Sequence, residues 1–528
     1  DLAIKAFEQF NNITPDPAAL AYNMARVDLA DGNASKALDK LQNYFDAQAK
    51  ASGSEGAEAK KGANGPGGAT GSASKTMEAD DGGSAIGKGI GPYALLSKVL
   101  TALKQDDRLM PRLEEMHKAQ PNNAMLSDYL GKQYLDAGKL EQAQALIESA
   151  HAVRPTIQSY RWLAEIYRKT NQPEKLLKLY GQLTEQNDSL SPAADEIKAL
   201  VADEKLTTSL IDHATHDYAT ASEKDFDVLR AAAMIAGEAK RWKDAEVLFD
   251  LAIKSQPKAA GDLLLVWGLA LFLDEKYDEA LKVLQRGINN DDSDETKASF
   301  NYYLAGALEM AGKTGEALSA AKIAAEQQPK NPSMASRPAW ILYHAKRYDA
   351  ALKAYQAFLD TWDDDYSTDG ARDVVREARS AMSNLYVTKH DMPHAVELLE
   401  QVIDEYPDDP GANNDLGYLW ADENQHLKRS ERMIQLAVDA EPDNFAFRDS
   451  LGWVLHRQGR DGEGLAQLKK AIEPEKPEGE VLDHLGEIES SLGHTDEAQA
   501  AWNQAAEAFQ KAGEEEKMET VQKKAAKR

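Results

Sequence analysis

Apolar and small residues recur along this chain at helical spacing, and the same arrangement of them returns after a fixed interval. The segment LGYLWADENQHLKRSERMIQLAVDAEPDN begins at Leu416, and a similar one, LGWVLHRQGRDGEGLAQLKKAIEPEKPE, begins 35 residues later at Leu451. In each half of a segment the apolar residues fall on one face of a helix, and polar or glycine-containing runs such as DAGK, EAKRW and DEKY separate the halves. The pattern predicts an all-α chain of repeated helix hairpins.

Three marks keep the repeats in register. They are a leucine followed by a small residue, a second small residue twelve positions after the first, and a proline twelve positions later, as at Leu130, Gly131, Ala143 and Pro155. Other stretches carry these marks in whole or in part at Ala233, Ala245 and Pro257, at Leu304, Ala305, Ala317 and Pro329, at Ala395 and Pro407, and at Leu485, Gly486 and Ala498. Small residues are expected where two helices approach closely, and proline opens the next hairpin because it cannot continue the preceding helix.

This arrangement resembles the tetratricopeptide repeat of bacterial proteins, a helix–turn–helix unit of about 34 residues. The resemblance extends over nearly the whole chain and implies a right-handed α-solenoid, or superhelix, of about twelve or thirteen helix pairs with one flexible insertion. It also implies that the first helix of each pair lines a concave surface that binds other proteins. The repeats from Leu416 onward are similar in style to exported or membrane-associated bacterial repeat proteins, which favours a periplasmic or envelope location over a cytoplasmic one.

The pattern divides the chain into five predicted regions. They are N-terminal repeats at 1–50, a Gly/Ser/Ala-rich flexible insertion at 51–92, repeat-like units at 93–224, a regular array at 225–506, and a charged helix or cap at 507–528. The opening segment, DLAIKAFEQFNNITP, matches only the second half of a repeat, so we expect more chain upstream. Residues 191–224 keep helical spacing but are degenerate as a repeat.

Two C-terminal repeats depart from the usual alanine at the second small position. Ser430 occupies it in the Leu416 repeat, which has one extra residue in its turn, and Gly464 occupies it in the next repeat. Since glycine is a poor helix former, we expect Gly464 to weaken its helix by about 1 kcal/mol relative to alanine.

Charge and composition narrow the classes of partner and site. The 528 residues include 61 Lys and Arg against 88 Asp and Glu, which gives a formal charge of −27 and argues against nucleic-acid binding. The chain contains 0 cysteines, so disulfides, thiolate metal sites and cysteine nucleophiles are excluded. Because the chain is acidic, protein or peptide partners are expected to be basic or neutral. No apolar stretch predicts a transmembrane segment.

The chain offers little that indicates catalysis or metal binding. Residues 365–377 match the first half of a calcium loop, but Arg376 stands where a glutamate ligand is required, so a solvated acidic linker is the simpler interpretation. His213 and His216 could share a helix face, which more often indicates polar surface than a metal site. No catalytic motif appears, and we assign no catalytic residue, metal ligand or cofactor.

A stripe of aromatic and amide residues on the first helices is the candidate binding surface. It comprises Trp340, Asn384, Asn414, Tyr418, Asp449, Trp453 and His456. Aromatic rings supply contact area and amide side chains hydrogen-bond a peptide main chain, which suits a peptide-binding groove. The alternative is that the rings cover neighbouring helices. The Lys and Asn set with which some members of the family clamp a terminal carboxylate is not found.

These observations favour a non-catalytic scaffold or adaptor that engages partner proteins or peptides within a multiprotein assembly. Two alternatives stay open from the sequence. One is a structural subunit of a bacterial cell-envelope or surface assembly with broad rather than groove-centred contacts. The other is a regulatory repeat array of an enzyme whose catalytic domain lies upstream of Asp1.

Overall fold

A computed structural model of the chain describes residues 16–58, 91–185, 192–218, 224–290, 293–472 and 478–526, together with Lys5 and Phe7. Within these ranges the regular secondary structure is helical, and 27 α-helices follow one another with no strand. By their internal contacts the residues divide into unit 1, Asp1–Lys276, and unit 2, Tyr277–Arg528. The prediction of an all-α chain of tandem hairpins is confirmed.

Unit 1 contains the first thirteen α-helices that the structure describes. Their bounds are α1 Pro17–Ala30, α2 Ala34–Glu58, α3 Gly91–Ala102, α4 Leu109–Ala119, α5 Ala124–Asp136, α6 Leu140–Val153, α7 Ile157–Lys169, α8 Pro173–Glu185, α9 Pro192–Val201, α10 Glu204–Asp212, α11 Phe226–Glu238, α12 Trp242–Ser255 and α13 Ala260–Leu273. A π-helical turn, His213–Asp217, follows α10.

Unit 2 contains the remaining described helices. Their bounds are α14 Tyr277–Asn290, α15 Asp294–Met310, α16 Thr314–Gln327, α17 Pro332–His344, α18 Tyr348–Trp362, α19 Ala371–Thr388, α20 Met392–Glu405, α21 Pro410–Asp422, α22 Leu427–Ala440, α23 Phe445–Arg457, α24 Asp461–Ile472, α25 Gly479–Ser491, α26 Thr495–Ala512 and α27 Glu515–Ala525.

Each unit is a tandem stack of helix hairpins. In unit 2 the two helices of a hairpin contact each other, and the second helix then contacts the first helix of the next hairpin. The first helices of successive hairpins also contact each other along part of the stack. Examples are the contacts of α15 with α17 and of α21 with α23. We call the surface formed by α15, α17, α19, α21, α23 and α25 the first-helix face.

One hairpin of unit 1 departs from this order. Helix α8 packs closely against α11, so the short helices α9 and α10 are not interposed between them. A Cβ atom on Gly181 of α8 would lie 2.1 Å from the carbonyl oxygen of Asp227 in α11, which shows how near the two helices come. Within the degenerate stretch, the described residues 192–212 therefore contain two short helices beside the main contact.

The small residues that mark the sequence repeat lie where helices touch. Ala143, Ala245 and Ala317 are fully buried. A Cβ atom on Gly131 would lie 2.5 Å from Cγ1 of Ile147, and one on Gly486 would lie 2.4 Å from Nε1 of Trp502. Small side chains at these positions allow the two helices of a hairpin to approach each other.

Prolines and polar caps begin several first helices. Pro332 and Pro410 occupy the first turns of α17 and α21, where a backbone N–H is not needed. The side chain of Asn331 accepts a hydrogen bond from the backbone N–H of Ser333 at 3.0 Å, and that of Asp409 accepts one from Ala412 at 2.8 Å. These caps end one hairpin and start the next.

The turn inside nearly every hairpin uses one residue with a left-handed backbone. Residues with positive φ at this turn are Gly32, Lys104, Gly138, Asn171, Lys240, Glu275, Gly312, Lys346, His390, Asn424, Gly459 and Gly493. In most of these turns the N–H of the positive-φ residue donates a hydrogen bond to the carbonyl oxygen three residues earlier. An example is the bond from Gly312 N–H to the Glu309 carbonyl oxygen, 2.8 Å long. Within the described residues only the α9–α10 hairpin lacks such a turn residue.

The region boundaries predicted from the sequence can be compared with the helix ends at both termini. Helix α2 ends at Glu58, inside the range predicted as an insertion, and residues 59–90 lie outside the described residues. The incomplete repeat predicted for residues 1–15 also falls outside them, apart from Lys5 and Phe7. At the other end α27 packs on α26 through Val521, which is 1% exposed. None of the described helices combines the length and the apolar character that crossing a membrane requires.

Candidate functional site

The seven predicted binding residues all lie on first helices of unit 2, but they do not form one continuous stripe. Trp340 is in α17 and Asn384 is in α19. The other five belong to the first helices of the next two hairpins: Asn414 and Tyr418 to α21, and Asp449, Trp453 and His456 to α23. Asn384 is exposed, and among the described residues no hydrogen bond joins its side chain to the other six, whereas residues of α21 and α23 contact a side chain from α25.

That side chain is His484, which joins three successive hairpins. Its ring stacks on Trp453 with centroids 4.2 Å apart and an interplanar angle of 19°. Its Nδ1 lies 3.0 Å from each carboxylate oxygen of Asp449, and its Nε2 lies 3.4 Å from the hydroxyl of Tyr418. We call Tyr418, Asp449, Trp453 and His484 the His484 cluster.

The electrostatics of the His484 cluster favour a protonated imidazole. Burial lowers the pKa of His484, but the charge of Asp449 and its hydrogen bond outweigh burial, so the pKa is raised above its usual value. A protonated His484 donates from Nδ1 to the Asp449 carboxylate and from Nε2 to the Tyr418 hydroxyl oxygen. Burial also raises the pKa of Tyr418, and the nearby carboxylates of Asp422 and Glu480 add to this effect.

Two predicted residues lie at the edge of the cluster. The His456 ring lies 5.2 Å from that of Trp453, and its Nδ1 is 2.7 Å from a carboxylate oxygen of Asp461. Asn414 is buried and donates to the Asp415 carboxylate at 3.1 Å. The buried Nε1 of Trp453 and Oδ1 of Asn414 have no hydrogen-bond partner among the described residues.

Trp340 belongs to a separate arrangement two hairpins earlier. The guanidinium of Arg337 lies between the rings of Tyr302 and Trp340, 4.1 Å from each centroid. Its Nε donates to the carbonyl oxygen of Tyr302 at 3.2 Å. The His344 ring lies 4.0 Å from Trp340, and burial, with the nearby Arg337 charge, lowers its pKa. We call Tyr302, Arg337 and Trp340 the Arg337 site.

The two charged centres of these arrangements, Arg337 and His484, were not predicted from the sequence, although both share one sequence signal. Arg337 precedes the Pro338–Ala339 pair and His484 precedes the Leu485–Gly486 pair, so they share one position of the repeat. The same position holds Ala381, Asp415 and Ser450 in the three repeats between them. A search for basic residues at that position would have found them.

The weaker candidates for chemistry have structural partners. The Asp365 carboxylate accepts hydrogen bonds from the backbone N–H of Ser367 at 2.8 Å and from Oγ1 of Thr368 at 2.7 Å, which holds its pKa well below the usual range. Asp363, in the same acidic stretch, pairs with Arg379 at 2.7 Å. His216 lies in the π-helical turn with Nδ1 3.1 Å from the Asp212 carbonyl oxygen. Across the described part of the chain no group of three or more His, Asp or Glu side chains is arranged to hold a metal ion.

Comparison with known proteins supports this repeat architecture. The sequence model of the tetratricopeptide repeat family matches residues 266–332 and 304–366, which include α15, α17 and the Arg337 site. Residues 266–366 are therefore tetratricopeptide repeats. Repeats of this family stack into extended surfaces that serve protein interaction, so a general role as a protein-interaction scaffold follows from the family.

One similar curated protein is the TPR repeat-containing protein of Pseudomonas aeruginosa. It is 29% identical over 181 residues, an alignment that spans 34% of this chain and 29% of the relative. The chain therefore matches less than a third of the relative's length.

Among solved structures, a tetratricopeptide repeat protein from Parabacteroides merdae is 14% identical with a TM-score of 0.38, covering 50% of this chain and 99% of that one. Yeast Tom70 is 12% identical with a TM-score of 0.38, covering 82% of this chain and 95% of its own. Cut9 in its complex with Hcn1 is 12% identical with a TM-score of 0.37, and the match covers 83% of this chain and 84% of that one.

Proposed function

We propose that this protein is a non-catalytic scaffold or adaptor that binds partner proteins or peptides on the first-helix face of unit 2. The partners would be held within a multiprotein assembly by a few aromatic and charged anchors. The observation that carries the proposal is the placement of the His484 cluster and the Arg337 site on that one face, each built across neighbouring hairpins.

Two features of the face support binding rather than packing alone. Trp340 and Tyr418 are half-buried, so each ring retains surface for contact, and Asn384 is exposed between them in the chain. Aromatic residues combined with a charged group are the usual anchors of protein interfaces. Trp453 is 7% exposed, so it serves mainly as support for His484.

The acidic composition bears on the class of partner. The chain carries a formal charge of −27, and the environment of Tyr418 includes the carboxylates of Asp422, Glu480, Asp449 and Asp483. Such a field attracts basic segments and repels acidic ones, so basic or neutral partners are favoured near the His484 cluster.

A comparison of variants in affinity purification tests the proposal. The W340A/N384A double variant changes the first-helix face at two accessible side chains, and I323A is the control, because Ile323 is 45% exposed on the second helix α16. We expect W340A/N384A to lose specific partners that the wild type and I323A retain, with the same far-ultraviolet circular dichroism in all three. Retention of every partner by W340A/N384A and loss by I323A would instead favour a structural subunit with contacts on the second helices.

A further inference from the structure

Arg337 is a buried cation held in a fixed orientation. The residue is 6% exposed, and its guanidinium carbon lies over two aromatic rings from adjacent first helices, α15 and α17, 4.1 Å from each centroid. The hydrogen bond from Nε to the Tyr302 carbonyl oxygen, 3.2 Å long, anchors the inner edge of the group. Of its five N–H donors one bonds that carbonyl oxygen and another bonds the Tyr302 side chain, which leaves donors of the terminal nitrogens for a further acceptor.

No carboxylate of the described chain forms an ion pair with this guanidinium. Arg379, the other buried arginine among the described residues, pairs with both Asp363 at 2.7 Å and Glu405 at 3.3 Å. Glu309 lies on α15 near His344 and is buried, yet it is not within ion-pair distance of Arg337, and its Oε2 has no hydrogen-bond partner. A buried guanidinium with no anion is unfavourable for the folded chain alone, because it has lost water without gaining a counter-charge.

The His484 cluster shows what is missing at the Arg337 site. In both places a cationic side chain at the same repeat position stacks on a tryptophan of the first-helix face. At His484 the chain itself supplies the anion, since Asp449 lies 3.0 Å from Nδ1. At Arg337 the corresponding anion is not supplied by any described residue.

We propose that the Arg337 site binds the side-chain carboxylate of an aspartate or glutamate in a partner polypeptide. The carboxylate meets the terminal nitrogens of Arg337 in a bidentate pair, while Tyr302 and Trp340 hold the guanidinium plane in place. This inference rests on the proposed function of the first-helix face and names one chemical feature of its partner.

A carboxylate fits this site better than a phosphate does. The site offers one positive charge, and a phosphoryl group of nearly two negative charges usually requires several cationic donors. The chain as a whole carries −27, so each extra negative charge on a partner is opposed by the field. The partner segment is therefore one acidic residue in an otherwise neutral or basic sequence.

Peptide arrays probed with the full-length protein test the inference. Each array contains neutral and basic twelve-residue peptides in matched versions that differ only in a central Glu, Gln or phosphoserine. The wild type is compared with R337Q and with R429Q, a matched control because Arg429 lies 4.7 Å from the Trp420 ring but is exposed on the second helix α22. Affinities for retained peptides are then measured by fluorescence anisotropy.

We expect the wild type and R429Q to bind the Glu versions about tenfold more tightly than the Gln versions, and R337Q to bind both equally. Binding without a Glu preference, or a preference that survives in R337Q, would overturn the inference and leave the proposed function standing. A stronger preference for phosphoserine would overturn the carboxylate assignment. Retention of no peptide by the wild type would count against the proposed function, and the inference would fall with it.

The stability of the free protein separates binding from a structural role. Replacement by methionine, R337M, removes the buried charge and keeps an unbranched chain between the two rings. If Arg337 is kept for a partner, the thermal midpoint of R337M equals or exceeds that of the wild type. A clear fall in the midpoint of R337M, with unchanged peptide preference in R337Q, would mean that Arg337 only joins α15 to α17.

Discussion

At the residue scale, glycine decides how closely the helices of one C-terminal hairpin approach. A Cβ atom on Gly464 in α24 would lie 2.7 Å from the carbonyl oxygen of Gly452 in α23. From helix propensity alone, alanine should strengthen α24 here. The contact reverses that expectation, because the added methyl group meets backbone that cannot rotate away.

The variant G464A should therefore be less stable than the wild type, by about 1–3 kcal/mol in the free energy of unfolding. The control is G462A in the same helix, where an added Cβ meets no atom within 4 Å and should be neutral or stabilising. Urea denaturation followed by circular dichroism measures both. Equal stabilisation of the two variants would show that α23 and α24 are not in close contact.

The Asp449–His484 pair predicts a pH dependence with a definite sign. The pKa of His484 is raised in the folded protein, so the stability it contributes is fully present below about pH 6.5, the usual histidine pKa, and is lost as pH rises through the folded-state pKa. The variant D449N removes this contribution. We expect it to lower the free energy of unfolding by about 2 kcal/mol at pH 5.5 and by less at pH 9.

Chemical denaturation of the wild type and D449N at several pH values measures the difference in their free energies of unfolding. Titration of the groups that both proteins share cancels in this difference. Asp483, Glu480 and Tyr418 also face His484, and they are unchanged in D449N. A difference that stays constant from pH 5.5 to pH 9 would contradict the assignment of a protonated His484.

Much of the candidate site could be predicted from position in the repeat, and the rest could not. Tyr418 and Trp453 were found because counting from the leucine places them on the first helix. Their partner His484 was missed because the contact joins residues in different hairpins, and no single repeat contains both sides. The absence of Asn384 from the His484 cluster has the same origin, since a shared repeat position does not guarantee contact between hairpins.

At the element scale, the left-handed turn residue is the common device that closes the hairpins. Glycine takes this backbone without strain, but Lys346 has φ 56° between α17 and α18. A side chain in this conformation costs about 1–2 kcal/mol, and the extra entropy of glycine in the unfolded chain offsets part of the gain on replacement.

The variant K346G should thus raise the stability by about 0.5–1 kcal/mol, since Lys346 is exposed. Its counterpart is G312A at the equivalent turn between α15 and α16, where φ is 75° and the substitution should destabilise. Thermal midpoints of the two variants give opposite shifts if the turn geometry is right, and shifts of the same sign if it is wrong.

The existence of most helices followed from the sequence because period, caps and prolines agree with one another. The relation of α8 to α11 did not follow, because only tertiary contact shows that two intervening short helices leave that packing intact. A tandem repeat by itself predicts that each hairpin stacks on the next.

At the scale of the whole molecule, helices contact mainly their neighbours in the sequence, so damage should stay local. Leu399 in α20 is 1% exposed and packs in a cluster with Leu416 and Trp420 of α21. The variant L399A should cost about 2–5 kcal/mol. Hydrogen exchange should accelerate in α19, α20 and α21 and stay unchanged in α5 and α6.

Mass spectrometry resolves these segments, and I323A at an exposed position serves as the control with no expected change. Faster exchange throughout both units would show a single cooperative transition, which a stack of neighbour contacts does not predict. The sequence alone indicated this local organisation through its fixed period, but it gave no sign of a division near Lys276.

The close packing of α8 on α11 has a practical consequence for engineering the chain. Because Gly181 and Asp227 bring α8 and α11 into direct contact, the segment that contains α9 and α10 lies beside that contact and does not interrupt it. A fluorescent domain or an affinity handle grafted onto this segment would leave the register of the surrounding stack undisturbed. Insertions in this segment during evolution would likewise enlarge one repeat and leave the packing of the others unchanged.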